Sequence, residues 1–196
     1  MSVAYAEPFR GPWTAQDVLA FPDDDICYEV VDGALIVNPP PAPRHQRASY
    51  KLHRLLDDAA HRADAQVDIL EAVGIRLPRK QLLVPDVLVV PRDKVGDDDP
   101  LVAADAVSLV VEIVSPGSTT RDRHEKPHLY AEAGIPHFWR VELGTFRGRT
   151  EELPVVFAYT LNSDGDYRLV KRVGAGDTFR STDPFTVEFD PGQLVL

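Results

Sequence analysis

The chain has 196 residues, 44% of them hydrophobic and 27% charged, the balance of a globular protein long enough to bury a substantial core. Its formal net charge of −10 argues against a protein that coats nucleic acid by charge alone, although an acidic total is compatible with a small basic groove. A single cysteine, Cys27, excludes an intrachain disulfide and a cysteine-only zinc site, and no aliphatic run approaches the roughly 18 residues of a membrane span.

One domain over residues 1–196 is expected, with 1–24 forming an N-terminal segment that carries a short helix. The opening MSVAYAEPFRGPW lacks a basic start followed by an apolar stretch, so a cytoplasmic location without a signal peptide is expected. Thr14 and Asp17 have the spacing of an oxygen cap with an acid three residues on, which predicts a helix to about Leu19, ending before Pro22. The acid runs Asp23-Asp24-Asp25 and Asp97-Asp98-Asp99 read as solvated loops. Cys27, between Ile26 and Tyr28, reads as a small buried hydrophobe. CYEVVDGALIV has the pattern of a β-hairpin turning at Asp32-Gly33.

NPPPAP is a rigid connector into a helix from about Pro43 to Arg62. At about 100° per residue, Ala48, Leu52, Leu55, Leu56, Ala59 and Ala63 share one side, with His45 at its N-terminal end. Arg44, Arg47, Lys51 and Arg54 form a basic stripe on the adjoining side. Strands are predicted at 67–77, broken near Gly74, and at 82–90 and 107–115. A helical stretch follows between Thr119 and Ala133, closed by Gly134; Pro127, tolerated only in a first turn, places its start near Glu125–Pro127. HFWRVEL (137–143) is a further strand, and the C-terminal third alternates β segments with turns, as sheet edge and covering hairpins.

Asp86 and Glu112 each interrupt an aliphatic strand, where an isolated charge is costly to bury. Brought side by side they would repel, so one would stay protonated or a cation would lie between them. Two acids with waters completing the shell describe a Mg²⁺ or Mn²⁺ site. The plainer reading sends each acid off an edge strand into water. A helix centred on Lys126 places Asp122, Leu129, Tyr130 and Ala133 near it, so the lysine falls on the inward stripe, while Arg123 and Glu125 point elsewhere. There it would orient a nucleophilic water or stabilise charge on phosphorus; the alternative is a surface lysine paired with Asp122. Tyr130 and Trp139 read as core aromatics.

The order Pro85-Asp86, Val111-Glu112-Ile113, then lysine, resembles the PD-(D/E)xK nuclease superfamily. The segments YEVVDGALIVNPPPAPRHQR, VPDVLVVP, LVVEIVSPGSTTRDRHEK and LYAEAGIPHFWRVE look more closely like the bacterial Uma-type family of restriction-endonuclease-like proteins, from about residue 14 to the end. The resemblance implies an α/β fold with a restriction-endonuclease-like core: a mixed central sheet flanked by helices, with extra C-terminal β-hairpins. It implies Mg²⁺-dependent hydrolysis of DNA phosphodiester bonds with Asp86 and Glu112 as metal ligands. Val114 stands where the superfamily pattern has lysine, and Lys126 is the candidate replacement. Glu29 and His45 match family segments. Glu29 is either a third acid at the metal edge or a hydrogen-bonded acid closing the hairpin. His45 either touches the phosphate or a metal-bound water, or is a satisfied core or capping group, and Gln46 is a weaker candidate for the same contact.

The basic stripe Arg44, Arg47, Lys51 and Arg54 suits a DNA backbone beside the site, or is an ordinary solvated helix face. A metal-dependent endodeoxyribonuclease is therefore expected, as a homodimer because two strands are to be cut, with no membrane partner. The alternative is a catalytically inactive nuclease fold that binds DNA or a partner, which the net charge and Val114 favour. A metal-free carboxylate-pair hydrolase such as a glycosidase is a third reading, without an aromatic sugar platform near either acid.

Overall fold

The computed structural model describes residues 11–22, 26–96 and 99–195. Asp23, Asp24, Asp25, Asp97 and Asp98, expected as solvated loops, lie outside the described residues, as does the start of the N-terminal segment. The last of the second run, Asp99, pairs with Arg76 at 3.1 Å.

Thr14 caps α1 (Ala15–Leu19) as its spacing predicts: the hydroxyl accepts from Asp17 N at 3.3 Å and Asp17 Oδ2 accepts from Thr14 N at 2.8 Å. β1 (Cys27–Val31) and β2 (Ala34–Asn38) form the expected hairpin. Its turn residues Asp32 and Gly33 have φ of 48° and 78°, the pair of positive values a tight hairpin turn requires. Cys27 differs from expectation: it opens β1 half-buried, with its sulfur accepting from Asn38 Nδ2 at 3.8 Å, because the hairpin's end lies near the surface. Proline at its first position opens α2 (Pro43–Arg62), which buries Ala48, Leu52, Leu56, Ala59 and Ala60. Ala63, expected on that side, is the exposed C-cap beyond the last buried turn.

The strand expected at 67–77 is broken just before Gly74, close to the expected place, and the strand expected at 82–90 is broken as well. β3 (Val67–Glu71) and β4 (Gly74–Arg76) part at Ala72, whose φ is 52°; β5 (Leu82–Leu83) and β6 (Val87–Pro91) part around Pro85-Asp86. Pro85 has no N–H to continue a ladder, so the chain bends there, and Ala72 N bonds Asp86 O across the corner at 3.3 Å. Asp86 therefore stands at a bend and not inside a strand. Both breaks send the chain from one sheet into another, as strands do at the corners of packed sheets.

The remaining strands are β7 (Leu101–Ala103), β8 (Leu109–Val114), β9 (His137–Glu142), β10 (Val155–Leu161), β11 (Tyr167–Gly174), β12 (Phe179–Ser181) and β13 (Val187–Phe189). One sheet has the order β2-β1-β5-β4-β7, the larger β11-β10-β9-β8-β6-β3, and β12-β13 form a small pair. Within the large mixed sheet β8 and β9 run parallel, joined through α3 (Lys126–Glu132), while their neighbours are antiparallel. α2 and the C-terminal Val187, Phe189 and Leu194 cover one face, packed on Val87, Val111, Ile113 and Trp139. α3 and the smaller sheet cover the other through Leu83, Leu88, Val110, Tyr130 and Phe138. Tyr130 and Trp139 are core aromatics as expected.

The helix before β9 starts earlier than Pro127 suggests. It is helical from Thr119, widens into a π-type turn over Arg121–Glu125, and continues as α3 until Gly134 ends it with φ 78°. The proline ring would strike the carbonyl four residues back in a regular helix, and the wide turn moves that carbonyl away. The inward stripe survives: Asp122, Lys126, Leu129 and Tyr130 are all buried.

Candidate functional site

β6 and β8 pair with Val87 opposite Val111, which puts Asp86 and Glu112 at the next opposed position, beside the corner. Asp86 Oδ2 accepts from Ile113 N at 2.6 Å, and its side chain keeps 23% exposure. His45, from the first turn of α2, brings Nε2 to 2.9 Å from Ile113 O and 3.3 Å from Asp86 Oδ2. A carbonyl only accepts, so Nε2 carries the hydrogen, and the two oxygens share it. Burial works against protonation of His45, but the bond and charge of Asp86 outweigh it and raise the histidine above its usual range.

Behind this pair lies a buried charge cluster. Lys126 Nζ bonds both Glu112 oxygens, at 3.0 and 3.1 Å, and lies 3.0 Å from Glu29 Oε1 and 3.8 Å from Asp122 Oδ1. Tyr130 donates to Glu112 Oε1 at 2.5 Å. Glu29 also accepts from Val84 N at 3.0 Å, Asn38 Nδ2 at 2.9 Å and Arg121 at 2.6 Å. Ser118 donates to Asp122, whose other oxygen is buried without a hydrogen-bond partner.

Burial, helped by the neighbouring acids, holds the Glu112 carboxyl well above its ordinary range with Lys126 opposing only in part, while those acids hold Lys126 protonated against its own burial. The Lys126 ammonium donates to both Glu112 oxygens, so the ionised form of Glu112 has Lys126 as its counter-charge. Burial would also raise Glu29, but Lys126, the Val84 amide, Asn38 and Arg121 bring it below the ordinary value. Asp122 is raised, chiefly by burial. Four carboxylates (Glu29, Asp86, Glu112, Asp122) thus face two permanent cations, Lys126 and Arg121.

Of the residues picked out by sequence, Asp86, Glu112, Lys126, Glu29 and His45 come together here. Val114, two residues past Glu112, is buried and carries no charge to the site; Lys126 reaches Glu112 from the helix instead. Arg44, Arg47 and Arg54 are exposed on α2 and Lys51 is half-buried. Among the described residues no carboxylate lies within 4.0 Å of those three arginines, and Arg54 sits 6.0 Å over the Tyr50 ring. Gln46 is exposed on the same turn. Sequence reasoning missed Tyr130 as a donor, and Arg121, Asn38 and Ser118 altogether. It also missed Glu142, which is buried and held by Arg123 at 2.8 Å twice and by Arg140 Nε at 3.1 Å. A short acid-base run, RDRHEK, was the only signal for the arginines, and their directions follow from the wide turn.

A cavity of about 520 Å³ opens on the other side of His45, past the carboxyl ends of β8 and β9.

The donor set suits a hard divalent cation in kind: the Asp86 and Glu112 carboxylates and the Ile113 carbonyl are all oxygen. The excess of acids over cations and the unpartnered Asp122 oxygen point the same way. Among the described residues no three His, Cys, Asp or Glu side chains converge as a ready ligand shell, so such a site would be a two-acid one completed by water.

A family model described as "Putative restriction endonuclease", Uma2, matches residues 15–192. Among solved structures, a protein from Anabaena variabilis ATCC 29413, titled a putative nuclease belonging to DUF820, is similar with a TM-score of 0.73. It shares 15% identity and the match covers 94% of this chain and 98% of that one, a likeness of fold. No curated protein matches.

Proposed function

Because the chain belongs to the Uma2 family, described as "Putative restriction endonuclease", and has the fold of a nuclease, we propose that it hydrolyses DNA phosphodiester bonds with a divalent metal ion. The observation that supports this most is the β6–β8 register, which when continued by one residue sets Asp86 opposite Glu112, with Lys126 on Glu112 at 3.0 Å. Asp86 and Glu112 would hold Mg²⁺ or Mn²⁺, which when bound supplies Lewis-acid stabilisation of the charge building on phosphorus and activates the attacking water.

The chain's own groups prepare that step. Lys126 and Tyr130 fix Glu112 in place, and the ammonium favours its ionised form. The Ile113 amide and His45 orient Asp86 through one oxygen, leaving the other toward solvent. Glu29, with all its bonds made inside the protein, is a positioning residue for Lys126 and Arg121 in this reading. The exposed arginines of α2, Arg44, Arg47 and Arg54, with Lys51, would take the DNA backbone. A cytoplasmic homodimer, one protomer per strand, is part of the proposal.

Supercoiled plasmid with Mn²⁺ tests it. Nicking that disappears with EDTA and in Asp86→Ala is expected; nicking that survives either refutes it. One observation favours a second reading, an inactive fold that binds DNA or a partner: both oxygens of Glu112 are already bonded to Lys126. Calorimetry separates the two, since an inactive fold takes up no Mn²⁺, whereas a nuclease takes it up and loses it in Glu112→Ala.

A further inference from the structure

The cavity beside His45 has no part in the scheme above, and its walls have a distinct chemistry. Val114, Pro116 and Leu143 give it apolar surface, and Arg44, His45 and Arg123 bring polar or cationic groups to it. We propose that it seats one unpaired nucleotide of the substrate strand, next to the phosphate to be cut. This rests on the nuclease reading and narrows it: the substrate class is DNA with a nucleotide out of the stack, as in a single strand, flap or bulge.

Size is the first argument. About 520 Å³ lies within the roughly 300–1,000 Å³ of small-ligand pockets, and it admits one nucleotide where a continuous stacked duplex does not enter. Charge is the second. Of the charged residues lining the cavity, Arg44 and Arg123 are cationic and Glu142 alone is acidic; Arg123 grips Glu142, and among the described residues Arg44 has no acid within 4.0 Å. The cavity wall is therefore net positive, whereas the cluster on the far side of His45 holds an excess of carboxylates. A flat apolar base attached to an anion matches the apolar walls and the positive rim; a neutral apolar ligand leaves the rim unanswered.

Position is the third. Arg123 uses Nε and Nη2 on Glu142, and among the described residues no hydrogen bond occupies Nη1, a donor left for a base edge or a phosphate oxygen. His45 belongs both to the cavity wall and to the Asp86 contact, so a nucleotide here has its phosphate one side chain away from the acids.

The test measures binding of dAMP, deoxyadenosine and inorganic phosphate by NMR titration, without metal, to the wild-type chain and to Gly144→Trp. A Cβ added at Gly144, which lines the cavity, meets nothing within 4 Å, so the bulk enters open space. The expected result is dAMP binding tighter than either fragment and weakened about tenfold or more in the variant, the weight of one well-placed base. Equal binding of dAMP and phosphate, or no change in Gly144→Trp, overturns the proposal. Thr145→Trp serves if circular dichroism shows that the first variant fails to fold. In Mn²⁺, wild-type cleavage should favour a strand with an unpaired nucleotide over matched duplex about tenfold, a preference lost in the variant; equal rates overturn the substrate class. A wild type that binds dAMP but cuts neither substrate sinks the nuclease reading and leaves the nucleotide site standing.

Discussion

Replacing Lys126 by methionine removes one ammonium from three carboxylates, at 3.0 Å from Glu112, 3.0 Å from Glu29 and 3.8 Å from Asp122. At an effective dielectric of about 20 each 3 Å pair is worth about 5 kcal/mol of Coulomb attraction, most of it offset by the cost of desolvating the ions. Breaking a buried pair by removing one partner costs about 3–5 kcal/mol, because the other charge stays behind uncompensated. Urea denaturation of Lys126→Met at pH 7 should show a deficit of that size. The deficit has a definite pH dependence. Lys126 lowers both Glu29 and Glu112, so without it each titrates higher than in wild type, and the folded variant takes up more protons than folded wild type as pH falls. The gap to wild type should narrow from pH 7 toward pH 5. Mn²⁺ should narrow it as well if a cation can replace the ammonium. A variant within about 1 kcal/mol of wild type at pH 7 refutes the counter-charge argument.

Tyr130→Phe takes away the hydroxyl on Glu112 and should cost about 1.5–3 kcal/mol by the same denaturation assay, the range for a hydrogen bond to a charged group; a neutral change refutes its role. His45 is raised above its unfolded value near 6.5, so its contribution is complete below that pH and is lost as pH rises through the higher folded value. Melting curves of wild type and His45→Asn should therefore converge as pH rises across this window; parallel curves are the contrary result. Arg47→Ala and Arg54→Ala should each lower the slope of log affinity for DNA against log salt by about one, measured by fluorescence anisotropy, and unchanged slopes remove α2 from the DNA interface.

The acids were legible because each breaks an aliphatic run, and α2 because its apolar residues recur at helical spacing from Ala48 to Ala60. Lys126 was legible in direction but not in context. Its phase relative to Leu129 and Tyr130 gave the buried side, while Pro127 pointed to a helix start several residues too late, since a regular helix would clash there and a widened one does not. Asp86 was misplaced for the opposite reason: the signal, Pro85 beside it, was present, but the aliphatic residues on both sides outweighed it. The Tyr130 hydroxyl was invisible because periodicity reports which face a ring occupies and nothing about what its oxygen meets. Arg121 and Arg123 depended on a turn width that no residue period encodes.

Three successive side chains of that widened turn grip three separate parts of the chain. Arg121 holds Glu29 and Asn38 on the hairpin, Asp122 holds Ser118 after β8, and Arg123 holds Glu142 on β9. Glu29 belongs to the smaller sheet and Glu142 to the larger, so this single turn works as a rivet between them. Each of its three side chains closes a different tie, which links the assembly of the charged centre to the docking of the two halves of the fold.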